Sequence, residues 1–102
     1  MKSKKITNQP IDLNSKVSTS DSVLFRKLDE ESVLLNLDNE MYYGLDKVGT
    51  SMWLALESSD SISLAHSQLL AEYDVDSDQL QSDLIELIEN LLEHKLIIVS
   101  EM

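Results

Sequence analysis

The sequence predicts an α+β domain in which a three-stranded antiparallel sheet is followed by three helices. The apolar residues of 32–45 follow a period of two, which is typical of a pair of antiparallel strands. From Val48 onward they recur at helical spacing, and the clearest amphipathic helix spans 77–94. The period changes next to Asp46, whose side chain can cap a first helical turn. We therefore expect a hairpin that leads directly into a helix, with later helices covering the sheet.

Length and composition indicate one domain. The chain has 102 residues and no cysteine, so it has room for one modest core and cannot form a disulfide or a thiolate metal site. The basic N-terminal residues are not followed by an apolar run, and no segment has the apolar length that crosses a bilayer. We expect a soluble cytoplasmic protein.

Acidic residues dominate the charge. The formal net charge is −11, and after Leu28 seventeen acidic residues are accompanied only by Lys47 and Lys95. Affinity for nucleic acid depends largely on Lys and Arg contacts to phosphate, so nucleic acids and anionic membranes are poor candidate partners. Solubility is an equally good reason for such a composition.

The part before the first helix is predicted to contain a polar arm and then strands. Residues 1–15 are polar and aperiodic, and we expect a flexible N-terminal arm that leaves 16–102 as the folded domain. Residues 23–28 form a strand, and two further strands flank a turn at 38–39. The weak alternation of 16–20 leaves an extra edge strand open.

Two helices are predicted after the hairpin. The first spans 47–57 and ends at the polar segment 58–61. The second spans 63–73, with Ser63 as its cap and Ile62 in the position of a hydrophobic staple.

The start of the third helix has the clearest local signal in the chain. Asp76 and Gln79 have the spacing of a capping box, and Val75 and Leu80 have the spacing of a hydrophobic staple. The apolar residues 96–99 after this helix leave a short terminal strand open.

The third helix has an apolar face wider than one packing surface needs. At about 100° per residue, four leucines lie within about 60° and three further apolar residues extend this arc by about 100°. The leucines are Leu80, Leu84, Leu87 and Leu91, and the extension consists of Ile85, Ile88 and Leu92. Two interpretations stay open. Either the N-terminal arm or a second chain, as in a homodimer, covers the extension, or it is an apolar groove for a partner, rimmed by carboxylates.

The last strand of a three-stranded meander is an edge, and we expect it at 40–45. An unpaired edge accepts an extended peptide through backbone hydrogen bonds. We expect Tyr43 to point to the core with Met41 and Leu45, and Tyr42 to contact a partner.

The residue types argue against an enzyme. His66 and His94 lie on different predicted helices, and no second nitrogen or sulfur ligand lies at local spacing from either, so a metal site is not expected. The chain has only Gly44 and Gly49 and contains neither a phosphate loop nor a nucleophile elbow. Its many carboxylates are typical of solvated helix faces. We expect a binding module without a cofactor.

Several segments resemble one known family in their order and spacing. They are ESVLLNL from residue 31, MYYGLD from 41, VGTSMW from 48, AEYDVD from 71, and the leucine pattern of 83–97. Together they resemble the PqqD-like family over 17–99. The run YYGLD, followed by a glycine and a tryptophan on the next helix, is similar to the stand-alone members found beside lasso-peptide enzymes.

The resemblance implies a recognition element for ribosomally synthesised and post-translationally modified peptides (RiPPs), with a winged helix-turn-helix-like fold. It implies that the leader segment of a precursor peptide adds beside the third strand and lies against the third helix. By position, the candidate binding residues are Glu40, Met41, Tyr42, Tyr43 and Gly44 on the strand, and Asp83, Leu84, Ile85, Ile88, Glu89 and Leu92 on the helix. The helical wheel favours Ile85 over Leu84 for the peptide, and Asp83 is expected to orient a basic or polar leader group.

The mechanism that the resemblance implies is delivery of the bound precursor to a partner enzyme. We prefer a transglutaminase-like leader peptidase of a lasso-peptide pathway, on the YYGLD resemblance. The alternative is a radical SAM enzyme that the protein serves as a PqqD-type peptide chaperone.

Two other classes are compared with this interpretation. A winged-helix protein can bind DNA, but the third helix has five acidic residues and no basic residue before Lys95. An acidic carrier protein modified at Ser61 is the second alternative, because the residues around this serine resemble a phosphopantetheine attachment site. Carrier domains are all-helical, however, and the predicted strands do not fit one.

Overall fold

The computed structural model describes residues 11–101, which form five strands and three helices. In chain order these are β1 (Lys16–Thr19), β2 (Val23–Leu28), β3 (Glu31–Asn36), β4 (Tyr42–Leu45), α1 (Lys47–Ser58), α2 (Ile62–Glu72), α3 (Ser77–Glu93) and β5 (Ile97–Ser100). The predicted fold class is confirmed, because an antiparallel sheet of three strands precedes three helices. The arrangement is consistent with a winged helix-turn-helix-like fold.

The strands form two separate sheets. In the larger sheet β3 lies between β2 and β4, and both pairs are antiparallel. The two strands that the sequence left open, β1 and β5, are both present and pair with each other, with Val17 opposite Val99. This ribbon joins the start of the described chain to its end, a contact between segments too far apart in sequence for a local pattern to predict.

The core lies between the three helices and both sheets, and Val17 of β1 and Ile97 of β5 belong to it. Its largest fully buried side chains come from β3 and from every helix. They include Leu34, Trp53, Leu56, Ile62, Leu69, Leu84, Ile88 and Leu91. The ring of Phe25 on β2 packs at a tilt against Trp53 on α1, with 6.4 Å between ring centroids. Burial of these apolar surfaces is the main force that holds the sheet against the helices.

The segment 11–15 is part of the folded domain. The backbone amides of Ile62 and Ser63 donate to the carbonyls of Ser15 and Leu13, each at 2.9 Å, and Ser15 is fully buried. These bonds satisfy two of the free N–H groups at the start of α2. The predicted arm therefore does not extend to residue 15. Its residues 1–10 lie outside the described part of the chain.

The helix starts agree with the sequence in two cases of three. The side chains of Asp46 and Asp76 accept hydrogen bonds from Gly49 and Gln79, as predicted for caps of α1 and α3. The predicted Ser63 cap of α2 is wrong. Ser61 is the cap, and α2 begins at Ile62.

The capping box of α3 is only half formed. Asp76 accepts from the Gln79 amide at 2.9 Å. The Gln79 side chain, however, donates from Nε2 to the Asp83 carboxylate at 2.9 Å, one turn further along the helix.

Candidate functional site

Strand β4 presents a free edge. The Asn36 amide donates to the Met41 carbonyl at 2.8 Å. Asn36 and Met41, which lie opposite each other next to the turn, are therefore a hydrogen-bonded pair. Hydrogen-bonded and non-bonded pairs alternate along an antiparallel ladder, so the backbone groups of Tyr43 face β3 and those of Tyr42 and Gly44 point away from it. No strand within residues 11–101 pairs with that side of β4. The edge can therefore bond an extended chain.

The turn before β4 is held by Asn36. Its Oδ1 accepts from the Asp38 amide at 2.8 Å, and its Nδ2 donates to the Lys95 carbonyl at 2.8 Å, just beyond α3. Both ends of this buried amide are thus satisfied. The bond to Lys95 also joins the β3–β4 turn to the end of α3, so the edge strand and the helix keep a defined separation.

The predicted start of the edge strand at residue 40 is wrong. Glu40 has a φ of 61°, in the left-handed region, and its amide donates to the Asn36 carbonyl at 2.8 Å, so it belongs to the turn. Met41 is exposed and does not join Tyr43 in the core. The predicted orientations of the tyrosines are confirmed. Tyr42 is 67% exposed, and Tyr43 packs against the core.

A groove of about 400 Å³ lies between β4, the start of α1 and one face of α3. The helix residues that line it have the spacing i, i+3, i+4 and i+7, which places them on one face. The groove is lined by Tyr43, Gly44, Leu45, Asp46, Val48, Gly49, Met52, Asp83, Glu86, Leu87 and Asn90. It runs beside the free edge, so side chains of a chain paired with β4 can enter it.

A polar cluster holds Tyr43 and Asn90, two residues that line the groove. Asn90 Nδ2 donates to the Tyr43 hydroxyl at 3.1 Å, and the Tyr43 ring meets the His94 ring edge-on, with 5.1 Å between centroids. His94 Nδ1 lies 2.8 Å from the Asn90 carbonyl. These contacts hold β4 to the last turns of α3.

The remainder of the groove is lined by apolar side chains and by carboxylates. The carboxylates of Asp46, Asp83 and Glu86 line it, and no lysine, arginine or histidine of the described residues does. One oxygen of Asp46 accepts from the Gly49 amide and one of Asp83 accepts from Gln79. Each leaves its second oxygen without a hydrogen bond to the described residues. Three carboxylates with no basic side chain of the described residues among them attract a positively charged ligand group.

The predicted helix residues are not all on this face. Asp83 lines the groove, but Leu84 and Ile88 are fully buried in the core. Ile85 and Glu89 line a different cavity on α3, with Asp78, Gln81, Ser82 and Glu86, and Glu86 lines both this cavity and the groove. Leu92 is exposed and lines neither cavity. The structure therefore brings Asp83 alone of the six helix candidates to the strand edge.

The sequence-based set missed all the groove residues after Gly44 except Asp83: five from Leu45 to Met52, and on α3 Glu86, Leu87 and Asn90. For α3 a signal was present. The available signal was the position of Asp83, since residues three, four and seven positions later share its helix face. The wheel located the apolar arc correctly. It could not show which flank of that arc faces β4, because the rotation of α3 depends on packing against distant residues.

The described residues give little support to a metal site or to a membrane-spanning helix. His66 Nε2 lies 2.9 Å from the Ser77 carbonyl, and within residues 11–101 no group of three or more His, Cys, Asp or Glu side chains could hold a metal ion. None of the helices described is long and apolar enough to cross a membrane.

Comparison with known proteins agrees with the fold. The family model for Coenzyme PQQ synthesis protein D (PqqD) matches residues 31–97. The solved structure of TbiB1 in complex with the TbiA(beta) leader peptide is similar to this chain, with a TM-score of 0.72 and 34% sequence identity over 78% of this chain and 93% of that one. A comparison with curated proteins finds no match. The family match and the structural similarity together identify a PqqD-like RiPP recognition element. The chain belongs to the PqqD family.

Proposed function

We propose that this protein binds the leader segment of a ribosomally made precursor peptide as an added strand on β4. The observation that carries the proposal is the free edge, where the backbone groups of Tyr42 and Gly44 point outward beside a groove. Strand addition supplies affinity through backbone hydrogen bonds and specificity through pockets for alternate side chains. The similarity to TbiB1, whose structure contains a leader peptide, supports it.

The groove favours a leader with a basic side chain. Alternate residues of an added strand point toward α3, where Asp46, Asp83 and Glu86 lie. A lysine or arginine of the leader would there replace part of its hydration with charge-assisted hydrogen bonds. This role keeps the expectation for Asp83 and adds Glu86 to it, whereas the buried Leu84 and Ile88 are not used.

Binding serves delivery rather than chemistry. A precursor held by its leader presents its remaining residues to a partner enzyme at a raised effective concentration, so the protein itself needs no catalytic group. The partner we favour is a leader peptidase of a lasso-peptide pathway, and a radical SAM enzyme is the alternative. Such a protein acts in the cytoplasm, where precursors are made.

The rival classes receive no support from specific residues. The Ser61 hydroxyl accepts a hydrogen bond from the Leu64 amide as the cap of α2, and the domain is not all-helical as a carrier would be. The face of α3 that lines the groove is acidic, and an acidic face repels a phosphate backbone.

The test is a titration with the leader of the precursor encoded beside this gene, with a scrambled leader as control. Amide chemical shifts of 42–45 and of the α3 residues in the groove should change with the true leader only. A scrambled leader that binds equally well, or a true leader that shifts other residues, would contradict the proposal.

A matched pair of variants at Gly44 tests strand addition directly. Gly44→Pro removes the outward N–H and costs the β3–β4 ladder no bond, since Gly44 and Val33 form a non-bonded pair. Gly44→Ala keeps the N–H, and a Cβ there meets nothing within 4 Å. We expect Gly44→Pro to weaken leader binding about tenfold, the loss of one hydrogen bond, and Gly44→Ala to bind as the wild type does. Equal affinities would show that the leader does not pair at this edge.

A further inference from the structure

A second cavity lies where the start of α1 meets the end of α2 and the start of α3. Its volume is about 130 Å³, and its apolar walls are formed by Val48, Met52, Leu69, Val75 and Leu80. A cavity of about 150 Å³ accommodates a benzene molecule in a protein interior, so this one has the size of a single large apolar side chain.

The polar groups of this cavity are already engaged. The hydroxyls of Ser51 and Tyr73 lie 2.9 Å apart and bond each other. Lys47 contributes to the lining, and its Nζ lies 3.6 Å from the Glu30 carboxylate in a solvent-exposed pair. The walls therefore offer mainly carbon atoms, which selects an apolar ligand group over a polar or charged one.

The rim of the cavity is apolar but open to solvent. Val48 is 63% exposed and Val75 is 49% exposed. Val75 and Leu80 occupy the staple positions of α3 and line the same cavity, but a staple does not explain the exposure of Val75. Covering these side chains would release ordered water and favour a bound ligand.

The cavity adjoins the groove beside β4. Val48 and Met52 line both, so these two side chains separate the acidic groove from the apolar cavity. A peptide paired with β4 can place a cationic side chain at the groove carboxylates. Where this peptide leaves the strand edge beyond Asp46, it meets this cavity next. One extended chain can therefore contact both.

We propose that this cavity is a second subsite of the same leader, which takes one leucine- or phenylalanine-sized side chain beyond the residues that pair with β4. The inference rests on the proposed function and adds a requirement to it. The leader carries a basic residue for the groove and an apolar residue for the cavity.

The variant that tests the subsite is Val75→Asp, with Leu64→Asp as its control. Val75 lines the cavity and not the groove, whereas Leu64, 54% exposed on α2, lines neither. Both variants replace an exposed apolar residue with a carboxylate and change the net charge equally. We expect Val75→Asp to weaken binding of the neighbouring precursor's leader about tenfold, and Leu64→Asp to change it less than twofold. Thermal unfolding of both variants checks that the fold is kept.

A second measurement uses the wild-type protein and does not depend on a variant. Intermolecular NOEs should connect one apolar side chain of the leader to methyl groups of Leu69, Val75 and Leu80. Alanine at that leader position should weaken binding to the wild type. It should weaken binding to Val75→Asp much less, because the two changes remove the same contact.

The outcomes separate the two proposals. If the leader binds at β4 while Val75→Asp has no effect and the cavity methyl groups show no NOE, the subsite is refuted and leader binding stands. NOEs from a second copy of this chain at the same methyl groups would assign the cavity to self-association and also refute the subsite. If the leader does not bind the wild-type protein, both proposals fail.

Discussion

Tyr42 and Tyr43 are neighbours on β4 whose side chains lie in opposite environments. Successive side chains of a strand point to opposite faces, so one tyrosine faces solvent and the other faces α3. The hydroxyl of Tyr43 accepts from Asn90 and its ring lies against His94. At the scale of single residues, Tyr43 thus holds the edge strand to the helix, and Tyr42 stays available to a ligand.

This difference predicts unequal effects of removing each hydroxyl. Tyr43→Phe leaves the Asn90 amide without its acceptor, and we expect the free energy of unfolding to fall by about 1 kcal/mol. Tyr42→Phe removes an exposed hydroxyl and should change it by less than about 0.5 kcal/mol. Urea denaturation of both variants measures the difference. Equal losses would show that the Tyr43–Asn90 bond contributes nothing to stability.

At the scale of elements, the end of α3 connects the helix to both sheets. The Leu96 amide donates to the Leu91 carbonyl and the Lys95 amide to the Leu92 carbonyl, each at 3.0 Å, which is the bond pair of a Schellman motif. Lys95 has a φ of 59°. Its carbonyl accepts from Asn36 in the β3–β4 turn, and β5 begins two residues later.

The left-handed conformation of Lys95 predicts a stabilising substitution. Glycine adopts this conformation without the Cβ clash that a lysine has, so Lys95→Gly should raise the free energy of unfolding by about 0.5–1 kcal/mol. Lys95→Ala keeps the Cβ and serves as the control, with no gain expected. Thermal and urea denaturation measure both. A gain in the alanine variant as large as in the glycine variant would attribute the effect to the lost charge.

At the scale of the whole molecule, the charge of −11 and the carboxylates of the groove act together on a basic ligand. Exposed charges are screened by salt, and the screening length falls from about 10 Å at 0.1 M to about 3 Å at 1 M. The net charge acts over the longer distance, whereas the groove carboxylates act at contact. Variants that remove charge either from the groove or from another part of the surface separate the contribution of the groove carboxylates from that of the net charge.

We predict that affinity for the leader falls roughly three- to tenfold between about 0.1 M and about 1 M salt. The double variant Asp83→Asn, Glu86→Gln should bind more weakly at low salt and depend less on salt. The double variant Glu57→Gln, Glu72→Gln loses the same charge away from both cavities and should keep most of the dependence. Calorimetric titration measures all three proteins. Identical behaviour of the two double variants would refute a specific role of the groove carboxylates.

The sequence by itself determined the features that depend on residues a few positions apart. The period change next to Asp46, the caps at Asp46 and Asp76, and the opposite faces of the two tyrosines are all local properties. Only the tertiary structure decided the features that depend on distant contacts. These are the pairing of β1 with β5, the place of residues 11–15 on α2, and the rotation of α3 that turns Asp83, Glu86 and Asn90 toward β4. A helical wheel shows which residues share a face, but burial against residues from the whole chain decides which neighbour that face meets.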